Sequence, residues 1–119
     1  MERADLLKRF EALYPEAYEQ IKHAVEYATL AHGDQKRVSG EPFIIHPLEV
    51  ANILADLQMD APTVIAGILH DTLEDTSITL ENLQREFGDT VAKLVDGVTK
   101  LQRAKRKSQM SRVELGEEK

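Results

Sequence analysis

The sequence predicts an all-α domain of about six helices, and three observations carry that prediction. Apolar residues recur at the helical spacing of three and four along most of the chain. Pro15, Pro47 and Pro62 stand where first helical turns would open, with glycines and N-capping residues between the apolar runs. No stretch alternates apolar and polar residues for long enough to make a strand, and Phe43–Ile45 is too short to count as one.

Each element follows from its own residues. A helix from Glu2 to about Leu13 comes first. Pro15 opens the second, with Ala17, Ile21, Ala24, Val25, Ala28 and Ala31 spaced as one buried stripe. The run HGDQKRVSGEPF is then a long polar loop, broken by Gly33, Gly40 and Pro42. Pro47 opens the third helix, with Val50, Ile53, Leu54 and Leu57 on one face. A turn at Met59–Ala61 leads into Pro62, and the fourth helix, reaching about Glu74, buries Val64, Ile65, Ile68, Leu69 and Thr72. Thr79 suits the N-cap of a helix that ends at Gly88, and Asp89 suits the N-cap of the last, running through about Leu101.

Composition narrows the function classes. The chain has 119 residues, of which 42% are hydrophobic, enough for one domain with a real core. It has no cysteine, which excludes a disulfide framework, a zinc ribbon and a thiol nucleophile. No apolar run approaches the ~18 residues of a membrane span, and MERADLLKRF is too charged for a signal peptide. A cytoplasmic protein with no membrane partner is therefore expected. The net charge of −6 argues against nucleic acid as the main partner. That charge is uneven: residues 1–99 hold 8 basic and 18 acidic side chains, while residues 100–119 hold 7 basic and 3 acidic. The segment 102–119 reads as a charged tail or the start of a further helix. A solvated face, a frayed end and a basic arm for an anionic ligand are its open readings.

One cluster fits a purely structural reading poorly. On a continuous wheel over Pro62–Asp75, Asp71 and Asp75 fall at the margin of the apolar stripe, Glu74 on the polar side and His70 on the outer face. Residues three and four apart are neighbours, so the four form one group. Its three carboxylates crowd a helix end where the macrodipole favours cations, and each costs about 0.3–1 kcal/mol even when exposed. No Lys or Arg lies within a turn of them in sequence. A solvated acidic helix end with a surface histidine is one reading; a cation or a charged reaction is the other. His46, just before Pro47 at a helix N-terminus, is either structural or a further ligand. The positive end of the dipole favours the neutral imidazole that can bind a metal.

The strings AHGDQKRVSGEPFIIHPLEVANIL, IAGILHDTLEDT and FGDTVAKLVDGVTKL, in that order, resemble the hydrolase half of RelA/SpoT-type enzymes. These are bifunctional synthetases and hydrolases of the alarmone (p)ppGpp, and their hydrolase belongs to the HD superfamily. The resemblance covers roughly residues 20–101. It implies an HD-domain-like helical bundle and a metal-dependent removal of the 3′-pyrophosphate of (p)ppGpp, giving GDP or GTP. His46, His70 and Asp71 resemble three of four protein ligands of a divalent metal, Mn²⁺ in this family. Glu74 and Asp75 look like the acid–base pair that activates the attacking water. Arg37 looks like the residue that packs on guanine, with Ser39 beside it; a planar guanidinium suits a π face.

Two departures from the pattern matter. Asp34–Gln35 stands where Gly–Gln is common before the loop arginine, and Val38 where a polar or basic residue is frequent. The fourth ligand of the family comes from a later helix of the type KLADRLHN, and no such motif follows among these residues. The reading is then residues 1–101 as an N-terminal portion of the hydrolase domain, truncated on its C-terminal side. Very weak activity and an exposed core face open to homo-oligomer formation are expected of it. The alternative is a catalytically inactive HD module that binds a nucleotide or a partner.

Overall fold

The computed structural model describes residues 3–114, with side chains through residue 108. The expected helix start at Glu2 and the tail residues 115–119 lie outside them. Among the described residues there are seven helices and no strand: α1 Arg3–Leu13, α2 Tyr18–His32, α3 Ile45–Asp56, α4 Ala61–Leu69, α5 Thr72–Asp75, α6 Leu80–Phe87 and α7 Asp89–Glu114. The all-α expectation holds. One antiparallel bridge, Lys36 to Pro42, narrows the polar loop between α2 and α3.

The short apolar helix α4 is the axis of the molecule. Val64 through Leu69 are all buried, and α2, α3 and α7 pack around it. Its start obeys a local rule: the Asp60 side chain accepts from the Thr63 amide at 3.1 Å, with Pro62 in the first turn. Leu6 and Phe10 of α1, Ile21, Ala24, Val25 and Ala28 of α2, and Leu83 of α6 complete one continuous core with Val91, Ala92 and Val95 of α7.

Several helix details differ from the periodic reading. Pro15 lies in the turn after α1, and α2 begins at Tyr18, because the chain reverses direction between the two helices. In α3 the buried residues are Leu48, Ala51 and Ala55, while Ile53 and Leu57 are exposed. Half-buried Val50 and Leu54, with Ala51 between them, face Gly67 of α4, where the helices meet closely. A Cβ on Gly67 of α4 would stand 2.7 Å from the Leu54 methyl and 3.7 Å from the Ala51 Cα.

Thr79 and Gly88 act as expected. Thr79 and Asn82 form a reciprocal capping box, and Gly88 ends α6 at φ 90°. Thr79→Ala is expected to cost about 1 kcal/mol in urea unfolding; an unchanged midpoint would show that the cap carries no stability. Asp89 is the first residue of α7 rather than its cap, and that helix runs past Leu101 to Glu114. Leu94, Val98 and Leu101, spaced four and three apart, leave an exposed apolar stripe along it.

Candidate metal and acid–base site

The fourth helix does not continue to Asp75. It stops at Leu69, turns through His70 and Asp71, and resumes as α5. Two side chains take up the carbonyls freed by the break. The Thr72 hydroxyl donates to the Leu69 carbonyl at 2.7 Å, and His70 Nδ1 donates to the Gly67 carbonyl at 2.6 Å. The break also rotates His70 off the outer face where a continuous wheel puts it. His70 is buried, at 6% exposure.

A carbonyl only accepts, so Nδ1 is the donor and Nε2 is the nitrogen that faces Asp71. That Nε2 stands 3.2 Å from Asp71 Oδ2, and His46 Nε2, on the first turn of α3, stands 3.9 Å from the same oxygen. The two imidazoles meet edge to face, 5.5 Å apart. Nitrogen and carboxylate acceptors converge with ligand atoms all within 4.8 Å. Such an arrangement is satisfied by a proton on nitrogen or by a cation between the groups. Two imidazoles and one carboxylate suit a divalent transition metal, and a backbone carbonyl on the far nitrogen is the usual outer support of such a ligand. The donor set therefore fits a metal ion.

Glu74 and Asp75 project from α5 into the same region and line a cavity of about 250 Å³ with Asp71. Partial burial, then the neighbouring Asp71 carboxylate, hold Asp75 above the usual carboxylate range; His32 and Arg106 oppose that shift. Glu74 has partners that sequence neighbourhood could not supply. Arg103 Nε and Arg106 Nη2, from α7, both donate to its Oε1, at 3.0 and 2.6 Å. No cation lies within a turn in sequence, and long-range packing supplies two from α7.

The raised Asp75 makes a signed prediction. A group whose affinity for protons rises on folding contributes stability at low pH and loses it as pH climbs through the folded value. Asp75→Asn is therefore expected to gain on the parent protein at pH 7 in chelator, and not at pH 3. Urea midpoints at both pH values check this; a variant less stable at pH 7 would contradict it.

Arg37 and Ser39 lie apart from this cluster, at the exposed tip of the loop between α2 and α3. A tight turn shapes the tip, with Gly40 at φ 91° donating to the Arg37 carbonyl at 2.8 Å. One residue that sequence reasoning passed over links the loop to the acidic pair. Gln35 Nε2 donates to the Asp75 carbonyl at 2.8 Å, and its Oε1 meets His32 Nδ1 at 3.2 Å. His32 is buried at the end of α2, its ring 4.5 Å from that of Phe43, and its Nε2 has no partner among the described residues. The loop that holds Arg37 is anchored through these groups to the turn that holds Asp75. The only sequence hint was the His–x–x–Gln spacing across Gly33.

A helical bundle in which a histidine on one helix meets an adjacent His–Asp pair on another is the arrangement that gives HD domains their name. The family model described as HD domain matches residues 24–118, and the chain belongs to that family. Within it, the chain is 52% identical over 105 residues to a guanosine-3′,5′-bis(diphosphate) 3′-pyrophosphohydrolase of Aquifex aeolicus, covering 88% of this chain and 15% of that protein. It is 58% identical over 91 residues to a probable GTP pyrophosphokinase of Mycobacterium leprae, covering 76% and 12%. It is 57% identical over 86 residues to a GTP pyrophosphokinase of Streptomyces coelicolor, covering 72% and 10%. The resemblance to RelA/SpoT-type enzymes holds. The chain spans about 10–15% of the length of these relatives.

Proposed function

We propose that this chain carries the metal and acid–base centre of a (p)ppGpp 3′-pyrophosphohydrolase, releasing pyrophosphate to leave GDP or GTP. The observation that carries the reading is the convergence of His46, His70 and Asp71, with Asp71 also lining the cavity that Glu74 and Asp75 share. Similarity to a protein named for this reaction supports the substrate class.

In this reading His46, His70 and Asp71 hold a divalent metal, most simply Mn²⁺. When bound, the ion lowers the pKa of a bound water and screens the phosphate charge. The residues around it do the rest. Glu74 and Asp75 orient the attacking water, accept its proton and return one to the leaving oxygen. Arg37 stacks on the guanine, Ser39 adds a polar contact, and the Gln35 link keeps that loop in register with Asp75.

A cytosolic setting belongs to the same reading. Among the described residues no helix is long and apolar enough to cross a membrane. Self-association through the α7 stripe of Leu94, Val98 and Leu101 also belongs to it; a strictly monomeric chain in light scattering would remove that part. The test of the function is product analysis. Incubation with ppGpp and Mn²⁺ should release pyrophosphate and GDP, abolished by chelator and accelerated when a relative's downstream segment is joined on. Release of orthophosphate, or no gain from the extension, would overturn the reading.

A further inference from the structure

We infer that Lys105 and Arg106 of α7 form an anion-binding wall for the pyrophosphate group of the substrate, and that Glu74 holds that wall until the anion arrives. This deepens the pyrophosphohydrolase reading and rests on it. The cavity at the site has two unlike walls: Asp71, Glu74 and Asp75 on one side, Gln102, Lys105 and Arg106 on the other. A purely acidic pocket would repel a pyrophosphate even with one divalent ion present. The basic wall meets the part of the anion that the ion does not reach.

The ion pairs across the cavity are built to exchange. Arg103 and Arg106 are 59% and 61% exposed, and Glu74 is 20% exposed. Exposed pairs of this kind contribute little, so a better ligand displaces them at small cost. Both guanidinium groups converge on a single oxygen of Glu74. A guanidinium fork is better matched by two oxygens of a phosphate, which carry more charge. Lys105 adds an ammonium that makes no ion pair among the described residues.

Arrival of the anion then draws Arg106 from the Glu74 carboxylate to phosphate, leaving that carboxylate free to hold the attacking water.

The test is calorimetric titration of Mn²⁺-saturated protein with inorganic pyrophosphate, against a matched blank of metal alone. Arg106→Gln and Lys105→Gln should each weaken pyrophosphate binding by about tenfold, the usual effect of losing one charged hydrogen-bond donor. Glu74→Gln should strengthen it, because the competing carboxylate is gone. Lys93→Gln, also on α7, should leave it unchanged. These basic residues are exposed, so the variants should fold normally. Mn²⁺ affinity, measured separately, should not fall in the Arg106 or Lys105 variants. Pyrophosphate affinity within twofold of the parent in both variants, with Mn²⁺ still bound, would overturn the wall and leave the metal reading standing. Equal weakening toward GDP would also overturn it, assigning the wall to the nucleotide's own diphosphate. A parent chain that binds no Mn²⁺ would sink both.

Discussion

His70→Ala is expected to lower Mn²⁺ affinity by more than about 100-fold, since loss of even an outer partner of a metal ligand costs 10–100-fold. The argument comes from the helix break. His70 is the one member of the cluster whose two ring nitrogens are both committed, Nδ1 to the Gly67 carbonyl and Nε2 toward Asp71. Alanine removes the ligand atom and orphans the carbonyl together. A stability loss of about 1–3 kcal/mol should accompany the loss of metal. His70→Asn cannot reach both positions, so it should not restore binding. Metal titration followed by electron paramagnetic resonance, with urea unfolding in chelator, separates the two effects. Unchanged Mn²⁺ binding in the alanine variant would remove His70 from the ligand set.

Phe10→Ala is expected to be the most damaging core substitution, costing about 3–5 kcal/mol. Phe10 is fully buried, and it belongs to α1, which packs on α2 and α3. Domains of this size are stable by only about 5–15 kcal/mol, so the variant should be close to unfolding at room temperature. Because α3 presents His46, weaker metal binding should follow the lost packing rather than any lost ligand. Urea unfolding with and without Mn²⁺ tests this: added metal should recover part of the midpoint. A loss below about 1 kcal/mol would mean that α1 is dispensable to the core.

What the sequence revealed depended on the range of the interaction. The Thr79 N-cap and the Gly88 stop were legible because each is decided within four residues. The acidic cluster after His70 was legible as an energetic oddity, since like charges at a helix end are costly wherever they point. The break at His70–Asp71 was not. A wheel assumes one continuous helix, and it was the side chains of His70 and Thr72, bonding back by three residues, that ended α4. The buried face of α3 was half legible: Val50 and Leu54 lie beside Gly67 of α4, while Ile53 and Leu57 are exposed and Leu48, Ala51 and Ala55 are buried. The pairing of Glu74 with Arg103 and Arg106 spans 29 and 32 residues. Only the uneven charge, acidic before residue 100 and basic after it, hinted at it.

The arrangement also explains why so costly a cluster persists. Asp71, Glu74 and Asp75 stand together at the edge of the core, and Asp75 is held above the usual carboxylate range by burial and by Asp71. Arg103 and Arg106 relieve Glu74, while His46 and His70 bring ring nitrogens to Asp71. A cation at that point would offset the repulsion among the carboxylates and satisfy both imidazoles at once. The most direct measurement is therefore a Mn²⁺ titration of the chain itself, reading the free ion by electron paramagnetic resonance. One saturable Mn²⁺ per chain is predicted, with His46→Ala and Asp71→Ala each weakening it. A free-ion signal that rises linearly from the first addition would contradict the metal centre and the function built on it.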